Sequence, residues 1–122
     1  MKNLVEVINL RKLYGLKKAV DSINFKIKEN QIIGLLGPNG CGKTTTIGMM
    51  LGLLKPSNGK VIIDGMKIEE KRVSILKKIN FISPYIELPK KLTVRQNLIV
   101  YGKLYSVSDI KRRIEYLSEK LR

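Results

Sequence analysis

Apolar and polar positions alternate closely enough from Leu4 to Leu10 to predict a strand, with Arg11 to Gly15 turning the chain out of it. A second alternation runs from Ala19 to Ile27 and nominates Val20, Ile23, Phe25 and Ile27 for the core. Glu29-Asn30 makes a turn, and Gln31-Ile32-Ile33-Gly34-Leu35-Leu36 is a short, continuously apolar run that reads as a buried strand. Two alternating strands followed by a buried one suggest an antiparallel sheet beside a covered core strand. Thr46 to Leu54 reads as a helix opening near Lys43 and stopped by Lys55-Pro56-Ser57-Asn58-Gly59.

The next segment, Lys60 to Asp64, is a strand; Asp64-Gly65 is a hairpin signal and Met66-Lys67-Ile68 can pair back. Glu69 to Lys78 places Val73 and Leu76 on one helical face, and Ile79 to Ile82 is a short apolar strand broken by Ser83-Pro84. Thr93 caps a predicted helix over Val94 to Tyr105, whose partial apolar face holds Leu98, Tyr101, Leu104 and Tyr105. A last helix opens at Ser106 or Ser108, where Ser106 and Asp109 have capping-box spacing; Ile110, Ile114, Leu117 and Leu121 line one side of it.

Composition changes this picture little. At 122 residues with 43% hydrophobic and 28% charged content, the chain is at most one ordinary globular domain. No apolar run approaches the roughly 18 residues of a membrane span, and the first residues lack the apolar core of a signal peptide. The one cysteine, Cys41, cannot form an internal disulfide, which fits a reducing, cytoplasmic setting. The net charge of +14 is unusual. Such a field attracts polyanions without specifying any, and few aromatics are interleaved with the basic residues. A lysine-rich solvated surface, or a fragment separated from acidic sequence that balances it, is the favoured reading.

Candidate chemistry enters at Gly37-Pro38-Asn39-Gly40-Cys41-Gly42-Lys43-Thr44-Thr45, which fits G-x-x-x-x-G-K-S/T, the phosphate-binding (Walker A) loop of nucleoside-triphosphatases. Its predicted context, a strand before and a helix after, is the one the motif requires. Gly37, Gly40 and Gly42 allow backbone angles closed to other residues and let main-chain N–H groups crowd round a phosphate. The helix start adds its unpaired N–H groups and positive dipole end. Lys43 is expected to reach the β- and γ-phosphates and the Thr44 hydroxyl to ligate Mg²⁺. Val61-Ile62-Ile63-Asp64 superficially matches a second nucleotide motif, but Gly65 makes a hairpin the better reading, and Asp64 is not assigned to magnesium.

Taken together the chain resembles the N-terminal half of an ABC transporter's ATP-binding subunit. The resemblance spans essentially the whole chain and rests on Leu13-Tyr14-Gly15, Gly37 to Thr45, Leu51-Gly52-Leu53 through Pro56-Ser57-Asn58-Gly59 to Asp64-Gly65, and Leu92-Thr93-Val94-Arg95-Gln96-Asn97-Leu98. It implies an α/β fold: a P-loop NTPase core, incomplete here, with an N-terminal antiparallel β-subdomain and the start of a helical subdomain. The corresponding boundaries are a β-subdomain and loop over about 1–82, a linking loop over 83–92 and the helical start over 93–122. It also implies that Tyr14 stacks on adenine, that Asn39 to Thr45 wrap the phosphates, and that ATP with Mg²⁺ is the cofactor. The implied partners are a transmembrane permease subunit and a second ATP-binding subunit in a dimer sandwich, at the inner face of the membrane, with no specific nucleic acid.

Two departures qualify the resemblance. Such subunits carry a glutamine that helps hold Mg²⁺ after the strand equivalent to Ile79–Ile82; Pro84 stands at that position, and Gln96 lies within the following helix. Proline offers neither side-chain amide nor N–H, so either other residues serve or Mg²⁺ coupling is altered. The surrounding segment is nonetheless similar to branches that export drugs or polysaccharides. The Leu-Ser-Gly-Gly-Gln segment, the second nucleotide strand, a catalytic Glu and a switch His have no counterpart here; there is no histidine, and Leu117-Ser118 belongs to the last helix. The chain alone is therefore expected to bind ATP but hydrolyse it poorly, with apolar core faces left uncovered. The competing readings are another P-loop family such as a small-molecule kinase, a basic non-catalytic nucleic-acid-binding protein, and a non-functional remnant.

Overall fold

The computed structural model describes residues 2–83, 85 and 87–121. They fall into two compact units, residues 1–76 and 77–122.

The first unit is built on a four-stranded antiparallel sheet in the order β2-β1-β3-β4, from β1 (Asn3–Tyr14), β2 (Lys17–Lys28), β3 (Asn58–Ile63) and β4 (Met66–Lys67). β1 lies in the middle of the sheet. It sets Val7 opposite Phe25 on one side and opposite Val61 on the other. Val7, Leu10, Val20, Val61 and Ile63 are buried from the sheet, while Ile23, Phe25 and Ile27 are only half-buried. Directly opposed Glu6 and Lys26 pair at 3.3 Å on the outer side, a cross-strand complement to the apolar ladder. β1 runs on past the predicted turn at Arg11. The Ser57 N–H donates to the Arg11 carbonyl at 2.8 Å and the Ser57 hydroxyl accepts from the Leu13 N–H at 3.0 Å, which extends the pairing of β1 almost to Tyr14.

The predicted Asp64-Gly65 hairpin forms, with both residues at positive φ (51° and 76°), the geometry of a two-residue hairpin turn. Helix α1 (Lys43–Met50) starts inside the phosphate loop and stops earlier than its apolar pattern suggested. Gly52, at φ 65°, ends it: its N–H donates to the Met49 carbonyl at 3.1 Å and that of Leu53 to the Gly48 carbonyl at 2.9 Å. Leu54 folds back so that a Cβ on Gly48 would lie 2.9 Å from it. Met49 is fully buried, worth about 1.5–3 kcal/mol for a side chain of its size. In α2 (Arg72–Leu76) the buried residue is Ile75, not Val73, which is exposed: a helix of five residues offers one inward position rather than a stripe.

The predicted strand Gln31–Leu36 does not form. Among the described residues no strand lies alongside it, and a central parallel strand exists only through neighbours that accept its hydrogen bonds and cover both faces. Ile32 and Leu36 are accordingly 101% and 91% exposed.

The second unit contains α3 (Val94–Leu104) and α4 (Ile110–Lys120). Thr93 caps α3 as predicted, and the cap is reciprocal: the Gln96 N–H donates to the Thr93 hydroxyl at 3.2 Å and the Thr93 N–H to Gln96 Oε1 at 2.8 Å. Asn97, buried, donates its amide toward the carbonyls of Pro89, Leu92 and Thr93 and so ties the preceding turn to the helix. Gly102 lets Ile110 approach, since a Cβ there would lie 3.0 Å from the Ile110 side chain. Asp109 rather than Ser106 caps α4, accepting from the Arg112 N–H at 3.4 Å. Ile114 is the buried centre of the predicted stripe, whereas Leu121 at its end is exposed. Ser118 sits within α4, donating to the Ile114 carbonyl at 2.8 Å. Ile79–Ile82 forms no strand, for the same want of a ladder partner, and Ile82 is 90% exposed. Pro84 lies outside the described residues. No helix among the described residues is long and apolar enough to cross a membrane.

The β1–β2 hairpin is also held by Asp21, which pairs with Arg11 at 2.8 Å and with Lys18 at 3.1 Å. The hydrogen bond from Lys18 foremost, with the charges of Arg11 and Lys18 outweighing a partial desolvation, holds its carboxyl below its ordinary value of 3.8. A carboxyl depressed in the folded state stabilises it above the unfolded pKa and loses that contribution as pH falls through the folded value. Asp21→Asn should therefore lower the thermal midpoint slightly at neutral pH. The gap to the parent chain should close as acid takes the pH below 3.8, which circular-dichroism melts across a pH series will read.

Candidate functional site

The loop from Gly37 to Thr45 is positioned from both ends. On the helix side, Gly42 occupies the position before α1 in the left-handed region (φ 95°) and supplies no side-chain cap. The first N–H groups of α1 therefore have no side-chain acceptor, and they point with the positive helix end into the loop. On the sheet side, the loop is pressed against β2. A Cβ at Gly42 would lie 2.3 Å from the Ala19 carbonyl oxygen and 3.1 Å from a methyl of Val20. Only glycine satisfies both the angle and the space.

Lys43, the first residue of α1, folds its side chain back over the loop. Its ammonium donates to the carbonyls of Gly37 at 2.5 Å and Pro38 at 2.7 Å and lies 3.8 Å from Cys41 Sγ. Gly37 (φ 153°) is closed to a side chain by that same cysteine, whose Sγ would be 2.6 Å from an added Cβ. Phosphate oxygens are stronger acceptors than these neutral carbonyls, so the ammonium is placed to exchange partners when an anion arrives.

Around this loop lies an open cavity of about 260 Å³, lined by Asn39, Gly40, Gly42, Lys43, Thr44 and Thr45, with Tyr14, Lys17 and Ala19 facing them from the end of the β1–β2 hairpin. Tyr14 is 51% exposed, and Lys12 stands 5.3 Å from its ring centroid. Six of the predicted loop residues and Tyr14 thus line one cavity. Gly37, Pro38 and Cys41 do not line it; they hold Lys43 from behind. The volume is below the roughly 300–1,000 Å³ of a pocket that encloses its ligand, so a nucleotide would lie across this surface.

The donor set fits a polyphosphate: backbone N–H groups at a helix start, two lysines, Lys43 and Lys17, and no carboxylate on the wall. It also fits Mg²⁺ in its usual role beside phosphate, where the ion takes one or two protein ligands. Thr44 offers an exposed hydroxyl, and no cluster of three metal-ligating side chains exists among the described residues. A larger cavity, about 600 Å³ in the second unit, is mainly apolar and holds none of these donors.

The sequence profile of the ABC transporter family matches residues 20–122. The chain belongs to the ABC transporter family. Within that family it is 39% identical over 110 residues to the bacitracin transport ATP-binding protein BcrA of Bacillus licheniformis, covering 88% of this chain and 35% of that protein. It is 33% identical over 121 residues to the Nod factor export ATP-binding protein I of Cupriavidus metallidurans, covering 98% and 40%. The chain thus spans between a third and two-fifths of the length of these relatives. Among solved structures, an ATP-binding subunit of an ABC transporter superposes with a TM-score of 0.80 at 26% identity, covering 87% of this chain and 44% of that one. A dimeric ATP-binding cassette in a post-hydrolysis state with ADP and Pi superposes with a TM-score of 0.76 at 28% identity, covering 93% and 54%. These likenesses bear out the P-loop fold class and the ABC resemblance read from the motifs, and they leave the nucleic-acid reading of the positive charge without support.

Lys17 and Ala19 were not singled out from the sequence. The signal was present in the hairpin: Tyr14 and Lys17 are register partners across Gly15-Leu16, so a ligand-facing Tyr14 brings Lys17 to the same face. The two loop glycines separate angle from space. Gly40→Ala should cost only the left-handed strain of φ 83°, about 1–2 kcal/mol, since nothing lies within 4 Å of its Cβ. Gly42→Ala adds overlap with the Ala19 carbonyl and should lower the unfolding free energy clearly more. Chemical denaturation of the two variants side by side measures the difference.

Proposed function

We propose that this chain binds MgATP at the Gly37–Thr45 loop and forms the nucleotide-binding portion of an ABC transporter's ATP-binding subunit. The observation that carries this reading is the Gly42-started helix, with Lys43 at its first turn, opening into a cavity whose opposite edge is Tyr14. A triphosphate laid on the N–H groups from Gly40 to Thr45 meets the helix dipole and the Lys43 ammonium. Its purine then reaches the flat face of Tyr14. Thr44 is the residue to ligate Mg²⁺, which when bound neutralises phosphate charge. Asn39, Gly40, Gly42 and Thr45 complete the cradle, while Gly37, Pro38 and Cys41 set the resting position of Lys43.

Hydrolysis requires a group to orient the attacking water, and none of the cavity residues is a carboxylate or a histidine. The chain alone therefore binds without efficient turnover. The shallow cavity leaves one side of a bound nucleotide uncovered, which suits the sandwich of two ATP-binding subunits typical of the family. The same reading places it beside a transmembrane permease on the cytoplasmic side. Export of a drug-like cargo is the class that relatives named for bacitracin transport and multidrug transport favour.

Equilibrium titration with MgATP at physiological salt tests the reading. Saturable binding is expected, weakened about tenfold or more by Lys43→Ala, because hydrogen bonds to charged groups contribute roughly 1.5–3 kcal/mol. Tyr14→Ala should cost about tenfold, stacking being worth roughly 1–3 kcal/mol per base. Phosphate release should stay at background. Binding that ignores Lys43, or that collapses with salt as nonspecific polyanion binding does, overturns the reading.

A further inference from the structure

Resting on the MgATP reading above, we infer that Lys17 is a second cationic contact for the nucleotide, directed at the phosphate nearest the sugar. Tyr14 and Lys17 are direct partners across the antiparallel β1–β2 pair, so their side chains leave the same face of the hairpin about 4.5–5.5 Å apart at Cβ. Ala19, two residues along β2 where the register shifts, lines the same cavity as Tyr14 and Lys17, and its carbonyl is the group against which Gly42 is pressed. Lys17 therefore lines one cavity with both the Tyr14 ring and the phosphate loop.

Its neighbours are already engaged. Lys18 pairs with Asp21 at 3.1 Å, and Lys12 donates to the Lys55 carbonyl at 2.7 Å while lying over the Tyr14 ring. Lys17 is exposed and has no ion pair or side-chain hydrogen bond among the described residues. The cavity wall brings it together with Lys43 and the start of α1 and includes no Asp or Glu. Two ammonium groups and a helix N-terminus around a site without a carboxylate call for an anionic ligand longer than a single phosphate. With the base on Tyr14 and the terminal phosphates on Lys43, the register leaves the sugar-proximal phosphate for Lys17.

The test compares MgATP with ADP on the parent chain, Lys17→Gln, Lys17→Arg and Lys43→Ala at physiological salt. Lys17→Gln should weaken ATP and ADP by the same factor, about tenfold or more for one lost charged contact. Lys17→Arg should retain most of the affinity, and Lys43→Ala should penalise ATP more than ADP. Circular dichroism confirms that each variant keeps the parent fold. Unchanged affinities in Lys17→Gln alongside a weakened Lys43→Ala overturn the role of Lys17 and leave the loop reading standing. A loss confined to ATP places Lys17 at the far end of the phosphates and overturns the assignment. Equal loss in Lys17→Arg and Lys17→Gln makes the residue structural. A parent chain that binds neither nucleotide removes the site reading and this inference with it.

Discussion

The close approach of Gly42 to the Ala19 carbonyl is the contact on which the candidate site depends. It presses the start of α1 onto β2, and through the β1–β2 pairing it fixes where Tyr14 and Lys17 stand relative to the loop. A glycine is required on two counts there, angle and space, and either alone would exclude most side chains. Without this contact the loop would still be a glycine-rich turn before a helix, but nothing would bring an aromatic ring to face it.

The rest of the first unit can be understood as support for that contact. β1 lies between β2 and β3, and the Ser57 side chain and backbone hold its far end where the ladder to β3 gives out. The end of α1 is closed by Gly52, so that Leu54 packs back under Gly48 rather than extending the helix. Lys43 is kept close to the loop by neutral carbonyls, an arrangement that is satisfied at rest and still favours transfer of the ammonium to an anion. Local capping and close packing thus set the chemistry, with surface ion pairs such as Glu6–Lys26 making only modest contributions.

Much of this was legible in sequence because the determinants are local. The loop spacing, the Asp64-Gly65 turn and the Thr93 cap each depend on a few adjacent residues whose backbone preferences are strong. What failed were the runs whose state depends on distant partners. Gln31–Leu36 and Ile79–Ile82 carry the composition of buried strands, yet a strand is a property of a pair, and these have no ladder partner among the described residues. Helix ends were shifted for a different reason. Gly52 and Asp109 adopt left-handed angles that stop or start a helix inside a pattern the apolar spacing alone would have continued. The family resemblance points to Tyr14, which lies outside the profile-matched residues 20–122; its place on the cavity wall is an independent observation. Lys17 was hidden among many lysines until the hairpin register singled it out.

The most direct test of the central claim is a residue-resolved map of amide chemical shifts as MgATP is added. Large, saturable changes are expected at Gly40 to Thr45 and at Tyr14 to Ala19, with residues 94–121 nearly silent. Small changes spread over the lysine-rich surface, with the loop amides no more affected than the rest, would contradict it: the nucleotide would then be responding to charge alone.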